Sequence, residues 1–580
     1  MGIFETLTKF TVVKTVFITE KDESVLQEKV PKYTPLFRSP LADDEQNYSH
    51  GEDATPLEHE DELEVETLTE GEPRLVRARE TSVVQLFYDL FFVANLATFT
   101  SKHEINTTDA LRSYVAFFII LWGTWFQVAK YDVRFGNDSI LERVCKALQF
   151  GIMVGFAVTG PQFEVVWQPG TIAADSALKI YQILTMILMA SRLILTVQYI
   201  AVYYWLKDYP KVHLPLTVHI TTSFIAAMIF LAFTILLASG QVRFMSFRHT
   251  PMVERLGLLT LIILGEGVIG LCGAINKVGS SLHFTSDIIG QIVSAVSIVY
   301  FIWILYSDQT EKTRVGRLRQ GLWTALHLPF HICLLLVVEG QATLTVWLKI
   351  QDITNPLFNF DFEQLFISND TMEIAPYVQM FNNSLNAVFA QLPDPTVPYE
   401  IYESIDFIST GLGVDDLFDN ITSVLDASVV SVCQAFDLGA EQNTEAVSQN
   451  ASLSEINAVL ASEVIDIFYT VYTYFFIAAG LTLICLTLLL WLGKRQMYRK
   501  EIVMMVVRTV IGIGLSLLAF MNLPSLELSD NAAIYTYISS PWMIPTVLIC
   551  YGIVILVDNV IAYHIRKKYN QWQVRSYSVA

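Results

Sequence analysis

The chain has 580 residues, of which 53% are hydrophobic and 16% charged, and its mean hydropathy is +0.44. That composition excludes an ordinary soluble domain and indicates a polytopic membrane protein. The net charge of −20 is concentrated: thirteen acids lie between positions 43 and 72 and eighteen between 351 and 463, with no Lys or Arg in either stretch. The remainder carries 37 basic against 26 acidic residues, a basic membrane body that leaves no case for a nucleic-acid partner.

Residues 1–79 are polar and acidic and read as a disordered cytosolic tail. Eleven stretches long enough to span a bilayer follow, near 84–101, 111–129, 146–163, 178–205, 213–239, 252–275, 287–306, 322–349, 465–493, 501–523 and 541–564. The expected fold is therefore an all-α polytopic bundle of about 11–12 spans. The basic connections "RVGRLRQ", "GKRQMYRK" and "HIRKKYNQWQVR" place their ends in the cytosol, and "EPRLVRARE" does the same for the start of the first span. With both termini inside, the number of crossings must be even. One crossing therefore escapes the count, and the expectation places it between Lys146 and Arg243.

The segment 350–464 then faces outward. Its four Asn-x-Ser/Thr sequons, at Asn369, Asn382, Asn420 and Asn450, suit a glycosylated lumenal or extracellular loop. "PYVQMFNNSLNAVFAQL" and "SLSEINAVLASEVIDIF" have the spacing of short amphipathic helices, so a partly helical cap is expected there. Residues 80–349 form the membrane core, 465–564 the last three spans and 565–580 a basic cytosolic tail. The six cysteines form no CxxC pair, so neither a disulfide framework nor a zinc knuckle is expected.

The polar residues inside the spans carry whatever chemistry there is, because a charge at the bilayer centre needs a partner or a task. Gln85 and Asp89 share a face of the first span. Asp89 reads either as a proton- or cation-handling carboxylate or as half of a structural ion pair with Arg192 or Arg255. Glu266 is the second candidate carboxylate, set among Gly265, Gly267 and Gly270, which leave room for a backbone or an ion. Arg255 and Glu266 share one face about 16 Å apart, with Glu254 beside Arg255 as an anchoring charge. Asp308 lies at a membrane edge. His327 and His331, one turn apart, read as satisfied core or pH-responsive histidines in preference to metal ligands. Trp122, Trp125, Trp303 and Tyr306 read as interfacial belt residues, and Asp132, Arg134, Asp138 and Arg143 as a solvated loop.

"QLFYDLFFVANLA" and "VERLGLLTLIILGEGVIGL" resemble the two signatures of the low temperature requirement A (LtrA) family of membrane proteins, and "WGTWFQVAKYDVRFGNDSILERV", "YQILTMILMASRLIL", "WILYSD" and "HLPF" stand in the family's order. Gln85 stands where the family usually has glutamate and Gly267 where serine is frequent. The acidic tail and the sequon-bearing loop resemble a eukaryotic, fungal-like branch. The resemblance implies a multi-pass fold over about 80–330 and says less about activity. The functional expectation is a cation- or proton-coupled transporter or channel, with Asp89 and Glu266 as titratable groups and Arg192 or Arg255 as countercharge. The alternative is a receptor or scaffold that senses through the outer loop. No GxSxG, HExxH or phosphate-cradling glycine loop supports an enzyme, and no cofactor is expected. The expected partners are the bilayer, of the plasma membrane or another secretory-pathway membrane, and an unidentified small solute or cation. The sequence leaves oligomeric state open.

Overall fold

The computed structural model describes residues 83–100, 105, 107–136, 139–165, 172–233, 252–279, 285–307, 317–362, 371–392, 397–409, 414–438, 453–494, 499–522 and 537–579. Among these the chain is helical and contains no strand. In chain order the helices are α1 (Val83–Thr100), α2 (Thr108–Phe135), α3 (Ile140–Thr159), α4 (Ile172–Trp205), α5 (Pro210–Phe233), α6 (Met252–Gly279) and α7 (Ser286–Ser307). They continue with α8 (Arg317–Phe358), α9 (Thr371–Phe389), α10 (Tyr399–Ser409), α11 (Val414–Ala435), α12 (Leu453–Gly493), α13 (Arg499–Leu518) and α14 (Met543–Val579). Eleven of them, α1–α8 and α12–α14, are long and apolar enough to cross a membrane. The reason is composition: a helix satisfies its own backbone, so an apolar stretch of about 20 residues is stable in lipid as a helix. The protein is an integral, multi-pass membrane protein. The acidic N-terminal tail lies outside the described residues.

Side-chain contacts fix the directions of the helices. Asp89 of α1 meets Trp125 while Phe99 stacks on Phe117, so α1 and α2 are antiparallel. Asp132 meets Lys146 and Phe117 packs on Phe156, which makes α3 antiparallel to α2. Gln198 reaches Glu142 and Ser191 reaches Gln149, so α4 runs back against α3. Tyr199 stacks on His219 and Tyr203 packs at a tilt against His213, so α5 reverses again. Helix α6 begins beside the start of α3, because Arg255 bonds the same Asp132 that Lys146 does. We call the face where α1 begins proximal and the opposite face distal.

These contacts bear on the parity of the crossings. Helix α5 starts at the proximal face and climbs 24 residues, about 36 Å, to the distal face. Helix α6 starts at the proximal face. Helices α5 and α6 thus run in the same direction, and residues 234–251, which join them, lie outside the described ones. The sequence expectation had absorbed 234–239 into its fifth span.

Helices α8 and α12 are 42 and 41 residues long, about 60 Å each and twice the hydrocarbon thickness. They pair antiparallel, with Gly340 against Tyr474 and Phe475, and Arg319 donating to the Trp491 carbonyl. Their surplus length stands out on the distal side and carries α9–α11. That cap has its own core, with Phe381, Leu385, Ile401, Val424 and Val432 packed on Ala274, Val278, Ile288 and Ile350 of the bundle. Asn382 lies on α9 and Asn420 on α11; Asn369 and Asn450 lie outside the described residues. One expectation needs correction. Residues 452–468 are not a short separate helix, because α12 runs unbroken from Leu453 into the membrane and the apolar pattern continues across the expected boundary.

Candidate functional site

The polar interior divides into a proximal and a distal centre. The proximal one is built by a tight connection. Gly136 ends α2; a Cβ there would stand 2.4 Å from the Asp132 carbonyl oxygen, so only glycine fits. Ser139 then caps α3 by accepting from the Glu142 N–H at 3.3 Å, in the Ser-x-x-Glu order of a capping box. The turn brings the last coil of α2 against the second coil of α3, and Lys146 Nζ lies 2.6 Å from Asp132 Oδ2.

Arg255 completes the centre. Its Nη2 donates to Asp89 Oδ1 at 2.6 Å and its Nη1 to Asp132 Oδ2 at 3.3 Å, all three side chains being buried. The Trp125 indole N–H donates to the same Asp89 oxygen at 2.7 Å, and the Arg255 guanidinium lies over the Trp125 ring. Two acids and two cations from α1, α2, α3 and α6 thus neutralise one another. Neutral donors serve a third acid: Tyr131 Oη and Gln198 Nε2 donate to Glu142 at 2.5 and 2.7 Å.

Several expectations change here. Asp132 is not on a solvated loop: α2 runs on to Phe135 and buries it, while Asp138 lies outside the described residues. Trp122 and Trp125 are not belt residues but core donors, 4% and 0% exposed. Arg192 is buried but makes no ion pair among the described residues, so Arg255 is the countercharge of Asp89 and Arg192 is not. Gln85 is buried and Glu254 exposed; Asp308 lies outside the described residues.

Above this centre, two histidines of α8 join neighbouring helices. Trp122 Nε1, which can only donate, bonds His331 Nδ1 at 3.1 Å. His331 is therefore neutral with its proton on Nε2, which bonds Thr260 Oγ1 at 2.8 Å, and Thr260 donates onward to the Leu256 carbonyl. Both ring nitrogens are used, so His331 has none left for a metal. His327 Nδ1 faces the Trp323 carbonyl at 2.9 Å, so it carries the proton, and Nε2 accepts from Tyr306 Oη at 3.2 Å. Tyr306 is buried by this bond, whereas Trp303, 42% exposed, keeps an outward position. No group of three or more potential metal ligands occurs among the described residues.

The distal centre holds Glu266. It stands eleven residues beyond Arg255, about 16 Å along α6, so the structure does not gather Asp89 and Glu266 around one point. Glu266 is 6% exposed, and its Oε2 has no hydrogen-bond partner among the described residues. The adjacent Gly267 lies against Val338 of the parallel α8: a Cβ there would stand 2.1 Å from Val338 Cγ1. This glycine serves helix packing. At Gly265 and Gly270 a Cβ would meet nothing within 4 Å, so the expected glycine-lined space is not a single cavity. The Gly267–Val338 contact sets Glu266 and Glu339 at one level on neighbouring helices. Both acids lie within electrostatic reach of Tyr114, whose Oη is 3.0 Å from Thr100 Oγ1. Sequence reading passed over Glu339 as a partner for Glu266, since 73 positions of chain separate them; the shared helical level is a product of packing.

Residues 80–346 match the family model described as bacterial low temperature requirement A protein (LtrA). No curated protein and no solved structure matches the chain. The match spans both signatures, from the Asp89 helix through the Arg255–Glu266 helix to the histidine-bearing half of α8, so the membrane domain over residues 80–346 is an LtrA-family domain.

Proposed function

We propose that the protein is a cation- or proton-coupled transporter or channel in which Glu266 takes up the proton or cation. The observation that carries this reading is the Glu266 Oε2 atom, buried in a membrane-spanning helix with no hydrogen-bond partner among the described residues. A carboxylate there is costly unless a proton or a cation completes it. Asp89 serves differently: Arg255 already neutralises it, and the proximal network is the framework against which α6 and α8 hold the distal acids.

The positive-inside rule makes the proximal face cytosolic and the distal cap lumenal or extracellular, in the plasma membrane or another secretory-pathway membrane, with Asn382 and Asn420 open to glycosylation.

The test is flux in liposomes under pH and monovalent-cation gradients. The expected result is transport by the wild type and its loss in Glu266→Gln at unchanged folding. Undiminished flux in Glu266→Gln would overturn the assignment. A second reading, sensing through the cap, is favoured by one feature: the cap shares its core with Ala274 and Val278 at the end of the Glu266 helix. Removal of 363–452 would then abolish signalling while flux through the bundle stays absent in both forms.

A further inference from the structure

The segment 351–463 carries eighteen acids and no Lys or Arg, so a cap carboxylate that pairs with Lys or Arg must find it outside that segment. Asp437 does so. It follows α11, whose end is closed by the Leu438 N–H donating to the Cys433 carbonyl at 2.9 Å and the Asp437 N–H donating to the Gln434 carbonyl at 3.0 Å. These two bonds make a Schellman motif, and its two apolar ends, Cys433 and Leu438, belong to the apolar cluster of the cap. The motif requires a left-handed residue at the position of Asp437, where glycine is usual. Asp437 has a φ of 53° and is the one non-glycine residue at positive φ among those described.

The carboxylate held there reaches the bundle. Asp437 Oδ2 lies 3.3 Å from Lys277 Nζ, in the last turn of α6. Lys277 stands eleven residues beyond Glu266, so it shares the Glu266 face of α6 about 16 Å nearer the distal end. The adjacent Val278 is buried in the cap core, so the last turn of α6 meets the cap through one apolar and one charged contact. The two differ in kind. Val278 is fully buried, whereas the side chains of Lys277 and Asp437 are 38% and 75% exposed. A pair so open to water adds little to stability and is weakened further by salt. Glycine would suit the turn better, so neither the backbone nor the strength of the pair accounts for an aspartate here. A backbone outlier of this kind points to a task, and the task this geometry offers is a contact that opens.

We infer that Asp437 and Lys277 form an electrostatic latch that holds the cap on the last turn of the Glu266 helix and that rising ionic strength on the distal side opens. Opening frees Lys277 and the end of α6, while the Schellman motif and the cap core stay closed. The latch is separate from the Glu266 carboxylate, and its existence does not depend on transport.

The experiment is hydrogen exchange of the full-length protein in nanodiscs, read by mass spectrometry at the end of α6 and at α9 in the cap core, in about 0.05 M and about 0.5 M potassium chloride. For the wild type the expected result is faster exchange at the end of α6 in high salt, by about two- to fivefold, the range an exposed ion pair supports. Asp437→Asn keeps a residue that tolerates the left-handed turn and removes only the charge. It and Lys277→Gln should exchange at the faster rate in both salt concentrations. Asp437→Gly should do the same while the thermal midpoint holds or rises, because the strain is relieved, which separates an open latch from an unfolded cap. Exchange at α9 stays unchanged in every form. Salt dependence that persists in Asp437→Asn, or equal low-salt rates in the wild type and both charge variants, overturns the latch, as does loosening of α9 in step with α6. No arm measures flux, so the latch stands or falls independently of transport.

Discussion

The two polar centres of the bundle contain the same kind of residue and treat it in opposite ways. At the proximal centre Asp89 and Asp132 share Arg255, Lys146 and the Trp125 indole, so each negative charge meets a positive one within 2.6 Å. At the distal centre Glu266 and Glu339 stand at one level on neighbouring helices, and the Glu266 Oε2 has no hydrogen-bond partner among the described residues. Burial alone therefore does not mark a working residue. Compensated charge locks helices together, whereas Glu266, whose Oε2 lacks a partner among the described residues, is the group we propose takes up the proton or cation.

The largest effect that would break or sharpen this contrast is the loss of Arg255. Arg255→Met leaves Asp89 without its cation and Asp132 with one fewer, a cost of about 3–5 kcal/mol. The expected outcome is loss of the monodisperse peak in size-exclusion chromatography of the solubilised protein. Combining it with Asp89→Asn should recover part of the loss; no recovery would mean that the two side chains are not one unit.

Next in size are two contacts between the centres. Gly267→Ala drives a methyl group into Val338 and should cost about 1–3 kcal/mol, the usual penalty of overpacking, read as a lower thermal midpoint that Val338→Ala restores. Trp122→Phe removes the donor that holds His331 neutral and leaves a buried acceptor unsatisfied, about 1–3 kcal/mol, in the same assay. Glu266→Gln should change the midpoint far less than either, because it removes an uncompensated charge and breaks no bond. A large destabilisation there would assign Glu266 to structure.

The smallest effect belongs to the cap. Burial raises the Asp426 carboxyl above the usual carboxylate range, so the folded cap holds this proton more tightly than the unfolded chain does. Its contribution is therefore present at acid pH and is lost as pH rises from the ordinary aspartate value through the raised one. Asp426→Asn should flatten the pH dependence of cap proteolysis across that interval. Burial also pushes the Cys433 thiol up to about 12, so it should resist alkylation at neutral pH until the cap unfolds.

Much of the architecture was legible in the chain because lipid imposes a local rule. A stretch of apolar residues such as 287–306 must be a helix wherever it packs, so the eleven spans could be read one at a time. The resemblance carried by "QLFYDLFFVANLA" was legible for a similar reason, being a contiguous pattern. The common direction of α5 and α6 was not, since it emerges only when Tyr199 meets His219 and Arg255 meets Asp132.

By itself, then, the sequence determined that the protein is an all-helical membrane bundle with Asp89, Arg255 and Glu266 inside it, because hydropathy and helical period are properties of neighbouring residues. Tertiary structure alone decided that Arg255 answers Asp89 while Arg192 does not, that Asp132 and Trp125 are interior, and that Glu266 and Glu339 stand at one level on neighbouring helices. Electrostatic compensation acts over a few ångströms between helices far apart in the chain, and no reading of one helix at a time contains those distances.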